Sequence, residues 1–188
     1  NQSSSSNCFN KIKSKEIIIK QNILTPKYEV IKIKDIDEKY LKNIKVKFGK
    51  FILKPASSGS SNGLVMIKSN KDLLLFFKKI IKFKNSFKKN EKFLIEEYIS
   101  GKELTVSVIK NKLNYKPLEV TEIVSLNKTY DYQAKYTKGF SKHFIPARIT
   151  KQKHKQCLDL SLKIHKIFKC NTLSRVHFIL SKKKNKIY

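Results

Sequence analysis

Arginine is almost missing from this chain. Arg148 and Arg175 are the only two among 42 basic side chains, set against 14 acidic ones, for a net charge of +28 over 188 residues. Such a charge would draw nucleic acid by releasing counterions from phosphates. Base reading and bidentate phosphate contact favour arginine, however. The lysines are also spread from end to end among abundant Ile and Asn, which reads as a bias toward AT-rich codons, so nucleic acid is not expected as the main partner. Cysteine is sparse: Cys8, Cys157 and Cys170 are odd in number, lack paired metal-ligand spacing and read as reduced thiols. His143, His154, His165 and His177 form no HExxH-type cluster. No apolar run approaches the roughly 20 residues a membrane span needs, and the polar opening NQSSSSN is no signal peptide. The expectation is a soluble, cytoplasmic protein with no membrane partner. About 40% apolar residues exclude wholesale disorder and provide a core for one or two small domains.

No internal repeat is present, and the periodicities alternate. Asn10 to Gln21 fits a short helix, ended by Leu24-Thr25-Pro26, and Tyr28 to Ile33 alternates as a strand. Asp35 to Phe48 reads as helix and connector, Phe51 begins a strand, and Asn70 to Phe83 reads as one amphipathic helix with Asp72 near its start. Three strands are expected at Phe93 to Tyr98, Leu104 to Ile109 and Leu118 to Val124, the last two joined by a turn at Asn111 to Asn114. Thr150 is a fair N-cap for a helix to about Lys169. Thr172 to Leu180 is a strand, Ser181 to Lys186 a turn, and Ile187-Tyr188 starts another strand. Helices alternating with antiparallel strands predict an α+β architecture.

Four segments carry chemistry. FILKPASSGSSNGLVMI, Phe51 to Ile67, is strand, small-residue loop and strand. Its Gly59 and Gly63 permit tight conformations, and its serines and backbone N–H groups suit phosphate oxygens. An ordinary Ser/Gly hairpin loop explains it equally well in isolation, and no Walker Lys-Ser/Thr pair follows the last glycine. FLIEEYISGKELTV, Phe93 to Val106, joins two strands through a glycine-containing turn and clusters Glu96, Glu97 and Glu103 in a basic chain. Such acids often just neutralise neighbouring lysines, but a strand-turn-strand can also read adenine edges with its backbone. YDYQAKY, Tyr130 to Tyr136, comes before Ile145-Pro146-Ala147, and SRVHF spans Ser174 to Phe178.

In this order the segments resemble the ATP-grasp superfamily and, within it, the D-alanine-D-alanine ligases of bacterial cell-wall synthesis, from about Ser6 to Tyr188. The resemblance implies an ATP-grasp fold of two α+β subdomains with ATP between antiparallel sheets. Residues 1–117 would form the small subdomain with its leading helix, and 118–188 the start of the C-terminal one. It implies ATP as co-substrate, Mg2+ or Mn2+, D-alanine as substrate, an acyl phosphate intermediate, and D-alanyl-D-alanine, ADP and phosphate as products. A homodimer is left open. D-alanine-D-lactate or other carboxylate-amine ligases, and a non-catalytic nucleotide-binding remnant, are the alternatives.

Carried over by motif, Lys15 and Lys54 would hold the ATP phosphates, and Gly59, Ser60 and Ser61 would cover them, Ser60 also orienting substrate. Glu96, Ile99 and Glu103 would serve adenine and ribose. Lys135 and Tyr136 would close over the γ-phosphate and substrate, and Arg175 would steady the transferred phosphate. The resemblance breaks at His177, which stands at the family's metal-binding aspartate. Magnesium prefers hard oxygen donors, so an imidazole there is a poor ligand. Asn10 and Gln133 also stand where acids are common. The family's N-terminal domain and its Glu-x-Asn-x-x-Pro-Gly segment are not in these residues, so the chain is expected to be a fragment with an incomplete active site.

Overall fold

Strand β-alternation and helix capping build two sheet units, which the computed structural model describes over residues 1–59, 62–125 and 139–188. The chain opens with α1 (Gln2–Phe9) and α2 (Lys11–Lys20). The serine-rich opening is helical because Asn1 caps it: its Oδ1 accepts from the Ser4 backbone N–H at 2.8 Å and from Ser4 Oγ at 2.7 Å.

Residues 9–12 and 26–98 form a four-stranded unit. Its elements are β1 (Tyr28–Lys32), a 3-10 turn at Ile33–Asp35, α3 (Glu38–Phe48), β2 (Phe51–Pro55), β3 (Val65–Ile67), α4 (Asn70–Phe77), α5 (Ile80–Asn85) and β4 (Lys92–Glu97). The sheet order is β1-β4-β2-β3, antiparallel throughout. Asp37 caps α3 by accepting from the Tyr40 N–H, and Gly49 ends it at φ +69° with its N–H on the Lys45 carbonyl. Ser69 and Asp72 close a capping box on α4. The expected helix Asn70 to Phe83 is therefore two helices. At the break the Lys79 N–H turns to the Phe76 carbonyl at 2.9 Å, and Phe83 lies against Phe76, Phe87 and Phe93 with ring centroids 5.1–5.7 Å apart. Phe51, Leu53, Phe93 and Ile95 on one sheet face meet Leu41, Ile44, Leu73 and Phe76 in an apolar core.

Residues 1–8, 13–25 and 99–188 form a five-stranded unit. Here β5 (Gly101–Asn111) pairs with β9 (Leu173–Ser181) along nearly its whole length and also with β6 (Asn114–Pro117) and β7 (Thr121–Ser125). Strand β8 (Ser141–Phe144) extends the sheet from β7. The expected strand Leu118 to Val124 is β7, and an unforeseen strand, β6, comes before it in a tight hairpin with β5 through Lys112 at φ +54°. Strand β8 was not foreseen. The long helix α6 (Lys151–Ile167) is capped by Thr150, whose side chain accepts from the Lys153 N–H. It covers Leu104, Val106, Val120 and Phe178 with Cys157 and its neighbours. The units divide between Tyr98 and Ile99, rather than at 117/118, because β5 and β6 hydrogen-bond into the same sheet as β7 and β9. At the end of the chain Ile187 bridges Leu180, the start of the strand expected there. The α+β class and the antiparallel sheets are as the sequence predicts.

Candidate functional site

In the four-stranded unit, strand alternation sends Phe93, Ile95 and Glu97 one way and Leu94 and Glu96 the other. The register sets Glu96 opposite Ile52 and Lys54 opposite Leu94, so Lys54 and Glu96 are diagonal neighbours on the face away from the helices. They form an ion pair, with the Glu96 side chain 8% and the Lys54 side chain 24% exposed. Strand pairing thus couples two predicted site residues 42 positions apart in sequence. Beside them Lys68 places its ammonium 4.9 Å from the centre of the Tyr98 ring, an attractive cation–π arrangement.

The small-residue loop leaves β2 at Pro55 and is held from α2. The Lys11 N–H donates to the Ala56 carbonyl at 2.9 Å, and Lys11 Nζ donates to the Ser58 carbonyl. Glycine is needed at Gly63, whose φ is +69° and where a Cβ would come within 2.6 Å of the Phe87 ring and 2.8 Å of Pro55. Gly59 departs from expectation, since its φ is not left-handed and a Cβ would meet nothing within 4 Å. Its carbonyl accepts from Asn62 N–H at 3.0 Å. Ser60 and Ser61, with Gln133, Lys135 and Tyr136, lie outside the described residues.

In the five-stranded unit the registers Glu103↔Ile179, Thr105↔His177 and Ser107↔Arg175 place Glu103, Arg175 and His177 on one sheet face. The opposite face, with Leu104, Val106 and Phe178, is the core. Arg175 and His177 are exposed. Ile99 lies two residues before β5, whose first residue Gly101 permits a backbone contact no other residue fits: a Cβ there would strike the Leu180 carbonyl. Lys15 is 5% exposed, and its Nζ donates to Thr25 Oγ1 at 2.7 Å.

Sequence reasoning missed a third charged group in this unit. Glu122 on β7 is 3% exposed and accepts from Arg148 through its backbone N–H at 3.1 Å, Nε at 3.0 Å and Nη2 at 3.0 Å, with Lys102 Nζ 3.4 Å away. The guanidinium also lies 3.6 Å from the centre of the Phe144 ring. Burial pushes the Glu122 carboxyl up, but the Arg148 donors and Lys102 outweigh it and hold it below the usual carboxylate range. The available signal was Arg148 itself, one of two arginines, directly after Ile145-Pro146-Ala147.

The described residues do not fit the magnesium that the resemblance implies. No group of three or more His, Cys, Asp or Glu is placed to hold a metal among them, and His177 offers nitrogen where a hard cation needs oxygen. Among the described residues no helix is long and apolar enough to cross a membrane.

The sequence and the fold are similar to those of known proteins. A family model described as the D-ala D-ala ligase C-terminus matches residues 17–188. A D-alanine–D-alanine ligase of Wolbachia pipientis wMel is 38% identical over 177 residues, 94% of this chain and 52% of the relative. The crystal structure of D-alanyl-alanine synthetase A from Vibrio cholerae superposes with a TM-score of 0.79 at 24% identity, covering 99% of this chain and 55% of that one. A Bacillus anthracis D-alanine–D-alanine ligase complexed with ATP gives a TM-score of 0.68 at 22% identity, over 100% of this chain and 56% of its own. The two structures speak for the fold, and the chain spans about half the length of the curated relatives it matches. With a family match over residues 17–188 and a relative 38% identical over 94% of its length, the chain belongs to the D-alanine–D-alanine ligase family, in the part that family's C-terminal model describes.

Proposed function

We propose that the protein to which this chain belongs joins two D-alanines into D-alanyl-D-alanine, with ATP activating the first carboxylate as an acyl phosphate and ADP and phosphate released. The family match over residues 17–188 carries this reading. In it, Lys54 and Lys15 neutralise phosphate oxygens, and Glu96 accepts from the adenine amine while the Ile99 backbone meets the ring. Glu103 accepts from the ribose hydroxyls. The Arg175 guanidinium, exposed on its sheet face, suits the trigonal oxygens of a phosphoryl group in transfer, because its planar fork offers paired donors. Gly59, Ser60, Ser61, Lys135 and Tyr136 complete the phosphate-covering and closing loops. The Lys54–Glu96 pair supports the reading in one respect: it pre-orients a cation and an acceptor on a single face, so that binding a nucleotide exchanges one partner of each rather than desolvating both anew. Mg2+ or Mn2+ would screen the phosphate charge in this reading, although no group of three or more His, Cys, Asp or Glu among the described residues is placed to hold it. The reading places the protein in the cytoplasm, with its ATP and D-alanine.

The test uses the product of the whole gene, incubated with ATP and D-alanine or D-lactate, with released phosphate and the condensed product measured. Phosphate release that requires D-alanine and yields the dipeptide supports the proposal. Release that requires D-lactate moves the protein to the depsipeptide-forming alternative, and release with neither overturns both. His177 favours a second reading, a nucleotide-binding domain without ligase chemistry. Restoring His177→Asp should then create activity absent from the natural sequence, and no gain would remove the reason for that reading.

A further inference from the structure

The three cysteines occupy two kinds of environment. Cys157 on α6 is fully buried, and burial pushes its thiol up to about 11, which makes it inert. Cys8, near the end of α1, is exposed as a residue, and Cys170, between α6 and β9, is half-buried. Cys170 is near enough to Cys8 to raise its thiol, although 162 positions separate the two in sequence.

Backbone on both sides holds the two cysteines near each other. Ser4 Oγ donates to the Lys169 carbonyl at 2.7 Å and Asn1 Nδ2 to the same oxygen at 3.3 Å, which seats α1 on the residue before Cys170. Ser4 and Cys8 are four apart on a helix, so the face that carries Ser4 to Lys169 also carries Cys8. Ser14 Oγ donates to the Asn7 carbonyl at 2.6 Å and reaches the Cys8 carbonyl at 3.4 Å, fixing the end of α1. On the other side Lys169 turns the chain at φ +52°, and the Cys170 N–H donates to the His165 carbonyl at 3.1 Å. Both thiols therefore sit on backbone that is already held in place.

We propose that Cys8 and Cys170 form an oxidation site that reacts with hydroperoxides and closes to a disulfide, tying the first helix to the lead-in of β9. The Cys170 thiolate attacks the peroxide: the O–O bond breaks, an S–O bond forms, the sulfur loses two electrons, and the departing hydroxide takes a proton to become water. The Cys8 sulfur then displaces the hydroxyl of the Cys170 sulfenic acid. An S–S bond forms as the S–O bond breaks, and the Cys8 proton leaves with that hydroxide as a second water. Two thiols and one hydroperoxide thus become one disulfide, water and the reduced alcohol or water. Partial burial of its thiol, then the neighbouring Cys170, push Cys8 up to about 11, which assigns Cys8 as the partner that resolves rather than attacks. The disulfide would fix the starts of two elements bearing candidate site residues, since Lys15 follows Cys8 by seven positions and Arg175 follows Cys170 by five.

The test treats the reduced product of the whole gene with hydrogen peroxide, blocks remaining thiols with iodoacetamide, and maps unreduced peptides by mass spectrometry. The expected product is a Cys8–Cys170 peptide pair lighter by two hydrogens than its reduced parts, reversed by dithiothreitol. It should form about tenfold faster than in the same chain held in urea, because folding supplies the local thiol concentration. In Cys8→Ser, dimedone should trap a sulfenic acid at Cys170. Separate sulfinic acids at the two positions, linkage to Cys157, or a rate no faster than in urea would overturn the proposal.

Discussion

The helix-facing core of the four-stranded unit is hydrocarbon and aromatic ring alone, whereas the five-stranded unit buries Glu122, Ser161, His165 and Ser181 among its apolar side chains. Phe76, Phe83, Phe87 and Phe93 meet at centroid distances of 5.0–5.7 Å in edge and tilted contacts, and nothing in that cluster titrates. In the other unit a carboxylate depends on Arg148, and a histidine with no exposure depends on Ser174 Oγ, 2.7 Å from its Nδ1. One core is therefore limited by volume, the other by whether each polar atom keeps its partner and its proton.

Removing volume gives the largest effect. Phe93→Ala deletes a ring with no solvent exposure that touches Phe83 and Phe87, and it should cost about 3–5 kcal/mol in urea unfolding. Amide exchange should show the loss in β1, β2 and β4 while β5 and β9 keep their protection. A loss spread evenly over both sheets would mean that the two cores are one cooperative unit. The counterpart in the five-stranded unit is Gly101→Ala. Its Cβ would meet the Leu180 carbonyl carbon at 2.7 Å and Ile179 Cγ2 at 2.9 Å. Backbone cannot yield as a side chain tip does, so about 2–3 kcal/mol and faster amide exchange along β5 and β9 are expected.

A charge should matter next, and asymmetrically. Arg148→Met leaves the Glu122 carboxylate at 3% exposure with only Lys102 and the backbone N–H of residue 148, while the Arg148 side chain it removes was half in solvent. A fall in Tm of about 5 °C is expected. The double substitution Arg148→Met, Glu122→Leu should recover most of it, because an apolar pair needs no partner. Equal losses in the single and double variants would show that Arg148 acts through its stacking on Phe144 rather than through the carboxylate.

Local sequence made much of this legible. The capping of α6 by Thr150 and the strands at β1, β2, β4 and β9 follow from periodicity and cap chemistry within a few residues. Elements that depend on distant partners were not legible. Strand β8 exists because Glu122 to Ser125 give it a partner, and the helix break at Lys78–Lys79 because Phe83 must reach Phe93. The site followed the same rule. Lys54 and Glu96 could be named from motifs, but their ion pair comes from the β2–β4 register, and the Glu122–Arg148 clamp spans 26 positions with no motif to announce it.

Acid gives the smallest effect and separates the units most cleanly. Burial holds the His165 imidazole below its ordinary value of 6.5, and its Nε2 has no hydrogen-bond partner among the described residues. The folded state therefore binds a proton less readily than the unfolded chain does. Stability from this group is fully present above about pH 6.5 and is lost as pH falls from there toward the folded value, with a slope no steeper than about 1.4 kcal/mol per pH unit. The shifted acids of the four-stranded unit are Glu29, held low by Lys47, and Asp72, held low by Ser69. Both start from ordinary values of 4.5 or less, so that unit should hold until the pH drops below that range. Between pH 6.5 and 5, amide exchange should accelerate in β9 and α6 but not in β1, β2 or β4. In His165→Phe, which keeps a ring beside Tyr115 at the site of the 4.4 Å contact, that acceleration should vanish. If the variant loosens in acid just as the natural chain does, the buried imidazole is not the proton-sensitive element of the five-stranded core.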